Sequence, residues 1–150
     1  KVKERVEVAK NAGATWAGNP DEKDIVKEIL QRSASRGGAG MDAVFECAGQ
    51  QETVDQAVEL LKPGGKLMLI GIPRTERISV IIEKTRRKEI SIINVRRQNN
   101  CTQAAIDLVA SGKISVDFMA THKFKLEQTQ DAFDMVANYR DGVVKALIEP

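Results

Sequence analysis

The chain has 150 residues, 42% of them hydrophobic and 29% charged, with a formal net charge of +2. That composition fits one ordinary globular domain and excludes a disordered or fibrous chain, and so small a charge implies no nucleic-acid partner. The longest apolar runs, such as residues 67–72, fall far short of the ~18 residues that span a bilayer. The first residues also lack the order of a signal peptide, so the sequence predicts a cytoplasmic protein with no membrane partner.

Residues 1–12 place Val2, Val6, Ala9 and Ala12 on one helical face, and Gly13 supplies the stop. Residues 14–17 then read as a short strand. Asn19-Pro20 with Asp21 and Glu22 reads as a helix start, and Ile25, Ile29 and Leu30 give that helix an apolar face ending near Ser33. Gly37-Gly38-Ala39-Gly40 precedes a strand, whereas a phosphate-cradling loop must follow a strand and open a helix, so it is a turn.

Residues 42–49 (DAVFECAG) and 61–71 (LKPGGKLMLIG) are the most informative segments. Each reads as a buried strand whose last residue is glycine, joined to the other by a helix carrying Val54, Ala57, Val58 and Leu61 on one side. Strand ends of this kind bring bare backbone to the carboxyl edge of a parallel sheet, where open α/β sheets bind ligands. Neither GxGxxG nor GxxxxGK[ST] occurs, so the usual phosphate-holding turns are absent from these residues.

A mixed stretch leads to a strand at 89–95 and a helix at 102–111, with Ala105, Ile106 and Val109 expected inward and Gly112 as the stop. Residues 114–118 and 123–126 look extended, 127–140 helical, and 143–148 a final strand. Strand and helix alternate through Gly112, which predicts an α/β fold with a doubly wound parallel sheet. Cys47 and Cys101 match no CxxC or Cys/His zinc spacing and are expected to be ordinary reduced thiols. Arg86-Arg87-Lys88 and Arg96-Arg97 are local basic clusters, the first read as a solvated helix end.

In order along the chain, RVEVAKNAGA at 5–14, FECAG at 45–49, Gly64-Gly65 with Ile70-Gly71-Ile72-Pro73, and Thr121-His122-Lys123-Phe124 followed by Ala132-Phe133 and Val144-Lys145 resemble the second half of a medium-chain dehydrogenase/reductase. The likeness is to the zinc-dependent alcohol, sorbitol and threonine dehydrogenase group. It implies a partial Rossmann sheet, strands 3 to 6, over residues 1–112, and a segment at 113–150 returning to the catalytic (GroES-like) domain. The glycine fingerprint, the acidic ribose ligand and the zinc ligands would all lie upstream in a chain of roughly 340 residues, a two-domain size.

The resemblance also assigns cofactor contacts. Arg5 would reach the adenosine ribose; Cys47, Ala48 and Gly49 would flank the adenine side; Ile70, Gly71 and Ile72 would meet the nicotinamide carboxamide. Val95 and Arg97 would close that pocket, and in polyol enzymes the arginine also faces the substrate. His122, the only histidine, falls in the returning segment and in no zinc-ligand motif. The implied activity is zinc-dependent hydride transfer from a secondary alcohol or polyol to NAD or NADP, in a homodimer or homotetramer with the 78–95 region as an interface.

Residues 1–150 alone are expected to be inactive and to hold no metal ligand. The strand at 42 is expected to expose an unpaired edge, and the final strand to lack partners. The sequence leaves three alternatives: a zinc-independent quinone reductase of the same superfamily, an S-adenosylmethionine-dependent methyltransferase suggested by LKPGGKL at 61–67, and a non-catalytic nucleotide-binding or assembly module.

Overall fold

The computed structural model describes residues 1–150 and divides into two compact units, residues 24–99 and residues 1–23 with 100–150. The first is built from parallel strands with helices between them, as the alternation of patterns through Gly112 predicts, and the second holds a parallel pair of strands that the alternation did not extend to.

In the first unit, helix α2 (Ile25–Ala34) begins at Asp24, whose carboxylate accepts a hydrogen bond from the Lys27 N–H at 3.0 Å. The expected start at Pro20 is therefore five residues early by numbering at the first helical residue, Ile25. Asn19 instead closes a separate turn, its carbonyl accepting from Glu22 and Lys23 N–H. The loop after α2 is tied by Ser33, whose hydroxyl exchanges hydrogen bonds with the Gly40 carbonyl and N–H at 3.2 and 3.1 Å.

Strands β1 (Met41–Glu46), β2 (Leu61–Leu69) and β3 (Ser91–Asn94) form a parallel sheet in that order, with α3 (Gln51–Leu60) between the first two. Val54, Ala57 and Val58 of α3 pack with Leu61 and Leu67 of β2 into the core, flanked by Val44, Leu69, Ile78, Val80 and Ile90. Spacing of three and four residues puts the α3 members on one face, and each large apolar side chain buried there contributes about 1.5–3 kcal/mol.

Between the pairs Met41–Leu61 and Ala43–Lys66, one residue of β1 is matched by four of β2, so the Pro63-Gly64-Gly65 stretch forms a bulge at the entry to β2. Gly64, at φ +75°, adopts the left-handed backbone this requires. Lys88 closes the junction: its ammonium donates to the carbonyls of Val58, Glu59 and Leu61 at 2.9, 2.9 and 2.8 Å, satisfying the open end of α3. Helix α4 (Ile82–Arg87) lies within the stretch that showed no helical periodicity in sequence.

The second unit contains α1 (Lys3–Asn11), α5 (Thr102–Ala110) and α6 (Thr129–Ala137), with β4 (Ala120–Lys125) parallel to β5 (Lys145–Glu149). Several expectations are corrected here. Residues 14–17 form no strand, because a strand exists only where a ladder partner stands beside it and none does. Residues 114–118 end in a 3-10 turn at Asp117–Met119 instead of an extended segment.

The last strand does have a partner, β4, with Phe124 opposite Ile148. The inward face expected for α5 is exposed, Ile106 at 54% and Val109 at 41%. In contrast, β1 pairs on one side only, as expected for an edge. No helix is long and apolar enough to cross a membrane.

Candidate functional site

Register aligns the carboxyl ends of the three-stranded sheet: Glu46 lies opposite Leu69, and Leu69 opposite Asn94. The chain leaves all three strands at one level, and a cleft of about 530 Å³ opens there. Its walls are Glu46, residues 69–73, Ile78 and residues 94–97.

The floor of the cleft is fixed by two glycines. Gly49, at φ +67°, and Gly71 approach so closely that a Cβ on Gly71 would stand 2.1 Å from the Gly49 nitrogen, while one on Gly49 would stand 2.6 Å from the Ile72 carbonyl oxygen. Any side chain at either position would force the strand ends apart. Here bare backbone is a packing requirement.

Glu46 holds the same junction together. It is 4% exposed, and its Oε1 accepts from the Ala48 N–H at 2.8 Å, the Gly49 N–H at 2.9 Å and the Thr53 hydroxyl at 2.7 Å. Successive N–H groups turned onto one anion, beside the N-terminus of α3, neutralise a buried carboxylate locally. The Glu46 carbonyl accepts from both Ile70 and Gly71 N–H at 2.9 Å, and the Leu69 carbonyl from Val95 N–H at 2.9 Å. Three strand ends are thereby joined by hydrogen bonds.

Of the residues singled out from sequence, Ile70, Gly71, Ile72, Val95 and Arg97 line the cleft together. Gly49 packs beneath it against Gly71. Cys47 and Ala48 are exposed on the adjoining turn, and the Cys47 thiol donates to the Phe45 carbonyl at 3.7 Å. Arg5 belongs to the other unit, where its guanidinium donates twice to the Val143 carbonyl, at 3.2 and 3.0 Å, and covers the Tyr139 ring at 4.8 Å.

Sequence reasoning gave no role to Glu46, Asn94 or Arg96, all of which line the cleft. The available signal for Glu46 was a lone carboxylate closing an apolar strand three residues before a glycine.

Chemically, Ile70, Ile72 and Val95 offer apolar surface for a flat ring. The N–H groups of Ile70 and Gly71 are engaged, which leaves their carbonyl oxygens to accept from a ligand amide. A dinucleotide ring with a carboxamide fits that lining. Zinc has no such fit, since no three His, Cys, Asp or Glu side chains converge. Cys47 and Cys101 are free and exposed. His122 lies between the Thr121 hydroxyl, 2.9 Å from Nδ1, and Asp141, 3.2 Å from Nε2.

Comparison with known proteins agrees with this geometry. The family model described as zinc-binding dehydrogenase matches residues 1–111. Sorbitol dehydrogenase of Bacillus subtilis (strain 168) is 31% identical over 97% of this chain and 40% of its own length. The crystal structure of a candidate zinc-binding dehydrogenase from Sinorhizobium meliloti 1021, bound to NADP, superposes with a TM-score of 0.84 at 29% identity, covering 99% of this chain and 43% of that one. A short chain alcohol dehydrogenase from E. coli CFT073, complexed with NADH, gives 0.84 at 26% identity, covering 99% and 42%. The chain thus spans about 40% of the length of the curated relatives it matches. With most of its length matched by one family model and its fold shared with that family's structures, the chain belongs to the zinc-binding dehydrogenases.

Proposed function

We propose that this chain forms the nicotinamide side of the cofactor cleft in a zinc-type, NAD(P)-dependent dehydrogenase that takes hydride from a secondary alcohol or polyol. The observation carrying this reading is the Gly49–Gly71 contact at the carboxyl edge of a parallel sheet, below a cleft with apolar walls. Support comes from the sorbitol dehydrogenase relative and from the NADP and NADH held by two structural neighbours. No comparison favours the quinone reductase, methyltransferase or non-catalytic alternatives.

In this reading residues 1–112 belong to the cofactor domain, a boundary supported by a family match that stops at 111, and residues 113–150 return to the catalytic domain. Cys47, Ala48 and Gly49 flank the adenine side. Ile70, Gly71 and Ile72 orient the carboxamide, and Val95 and Arg97 close the pocket. Arg5 contacts the adenosine ribose.

A nicotinamide bound there accepts hydride at C4; the residues described align its ring and exclude water from one face. The protein works in the cytoplasm as a homodimer or homotetramer, with residues 78–95 as a contact. Residues 1–150 alone have no turnover.

The test uses the protein purified from its source organism. NADH or NADPH fluorescence should show saturable binding, and NAD or NADP with sorbitol should be reduced. If neither cofactor binds, the reading falls.

A further inference from the structure

Residues 70–81 run from β2 to α4 with no helix or strand between them, so no ladder holds their main-chain groups. Ile72, Pro73 and Ile78 of this stretch nevertheless form one wall of the cleft, and such a wall must be fixed from outside itself. Gln51, the first residue of α3, does this at Ser79. Its Oε1 accepts from the Ser79 N–H at 2.8 Å and from the Ser79 hydroxyl at 3.1 Å, while its Nε2 donates to the Ser79 carbonyl at 2.9 Å. We propose that Gln51 is a positioning residue for the cofactor, clamping residues 72–79 so that the nicotinamide end meets a wall already in place. This rests on the dehydrogenase reading above.

The amide of Gln51 is fully committed to this role. A primary amide carries two N–H donors and an oxygen with two lone pairs. Its second N–H goes to the Asp55 carboxylate at 3.1 Å, one turn along α3, so all four bonds are made and the amide can face only one way. Ser79 thereby receives a donor and an acceptor side by side, as a neighbouring strand would offer them. The same turn of α3 also holds the floor of the cleft, because the Thr53 hydroxyl donates to Glu46 Oε1 at 2.7 Å. Floor and wall are bonded to one rigid turn of helix.

A wall fixed before binding spares the ligand the cost of ordering a loop, and the difference appears as affinity. Gln51 stands outside the residues that line the cleft. Its influence therefore reaches the cofactor through the 72–79 stretch and is confined to the nicotinamide end.

Wild-type protein, Gln51→Ala and Ser79→Ala, each as the whole natural protein, should be compared in three measurements. These are affinity for NADH or NADPH by fluorescence, affinity for the matching ADP-ribose fragment by calorimetry, and amide hydrogen exchange over residues 72–80. Gln51→Ala should weaken the reduced cofactor about fivefold, the worth of roughly one net hydrogen bond, and should speed exchange at Ser79 by about fivefold or more. Affinity for the fragment, which lacks nicotinamide, should stay within about twofold. Ser79→Ala keeps both main-chain bonds and should stay within about twofold in every measurement. Both positions are exposed, so melting temperatures should match and exclude misfolding.

Three outcomes overturn the proposal: reduced-cofactor affinity unchanged in Gln51→Ala, cofactor and fragment weakened alike, or an equal loss in Ser79→Ala, which would assign the effect to the hydroxyl. If the wild type binds neither ligand, the dehydrogenase reading fails separately. Exchange then decides alone: faster exchange over residues 72–80 in Gln51→Ala upholds the clamp, and unchanged exchange removes it.

Discussion

The two compact units use similar apolar patterns to different ends. In residues 24–99, Val54, Val58, Leu61 and Leu67 are at most 1% exposed; in the other unit only Ala132 and Val143 are buried, while α5 presents Ile106 and Val109 to solvent. The α3 and α5 sequences are both amphipathic, but only α3 has the β1–β2 sheet against its apolar side. Periodicity shows which face of a helix can be covered; burial requires a surface to cover it. Stability should therefore be concentrated in the first unit, and within it at the strand ends.

Mutations can break this contrast. Gly71→Ala should have the largest effect, about 4 kcal/mol, because its methyl would overlap backbone at Gly49 rather than a side chain that can rotate away; urea unfolding measures it. Leu67→Ala, at a fully buried position, should cost about 3 kcal/mol. A value below about 1 kcal/mol in the same assay would place the core elsewhere.

Glu46→Gln keeps an oxygen for the three donors but removes the charge, so a loss of about 1–2 kcal/mol is expected, with faster exchange of the Ala48 and Gly49 amide protons. Ile106→Ala in residues 1–150 should change stability by less than about 0.5 kcal/mol. A cost equal to that of Leu67→Ala would mean the α5 face is covered in solution, and the contrast would fail.

The smallest effects come from exposed ion pairs. The hydrogen bond from Lys62, then its charge, lowers the Asp42 pKa from the ordinary 3.8. The contribution is thus present above that value and disappears as pH falls through the lower folded one. The hydrogen bond from Glu149, then its charge, raises the Lys123 pKa from 10.5, so that contribution holds below 10.5 and is lost as pH rises through the folded value. Both groups are fully exposed, and added salt should flatten both ends of a stability–pH curve.

Much of this was legible in sequence because the residues concerned impose local geometry. A glycine after each apolar run located the strand ends, and Val54, Ala57 and Val58 located the helix packed on them. What failed depended on partners distant in sequence. Residues 14–17 have strand-like chemistry and no ladder neighbour, and the last strand's pairing with β4 cannot be read from either segment alone. Helix α4 has six residues, too few for a period to register. Glu46 was visible as a charge but not as a clasp, because its donors become neighbours only when the chain turns at Gly49.

Lys88 offers an independent clock on the α3–β2 junction. With its ammonium held by the Val58, Glu59 and Leu61 carbonyls, the nitrogen can be acylated only after those bonds open. In a timed reaction with acetic anhydride followed by peptide mass mapping, Lys88 should label well after the solvent-facing Lys66. Its lag would report how often the end of α3 detaches from the strand it feeds.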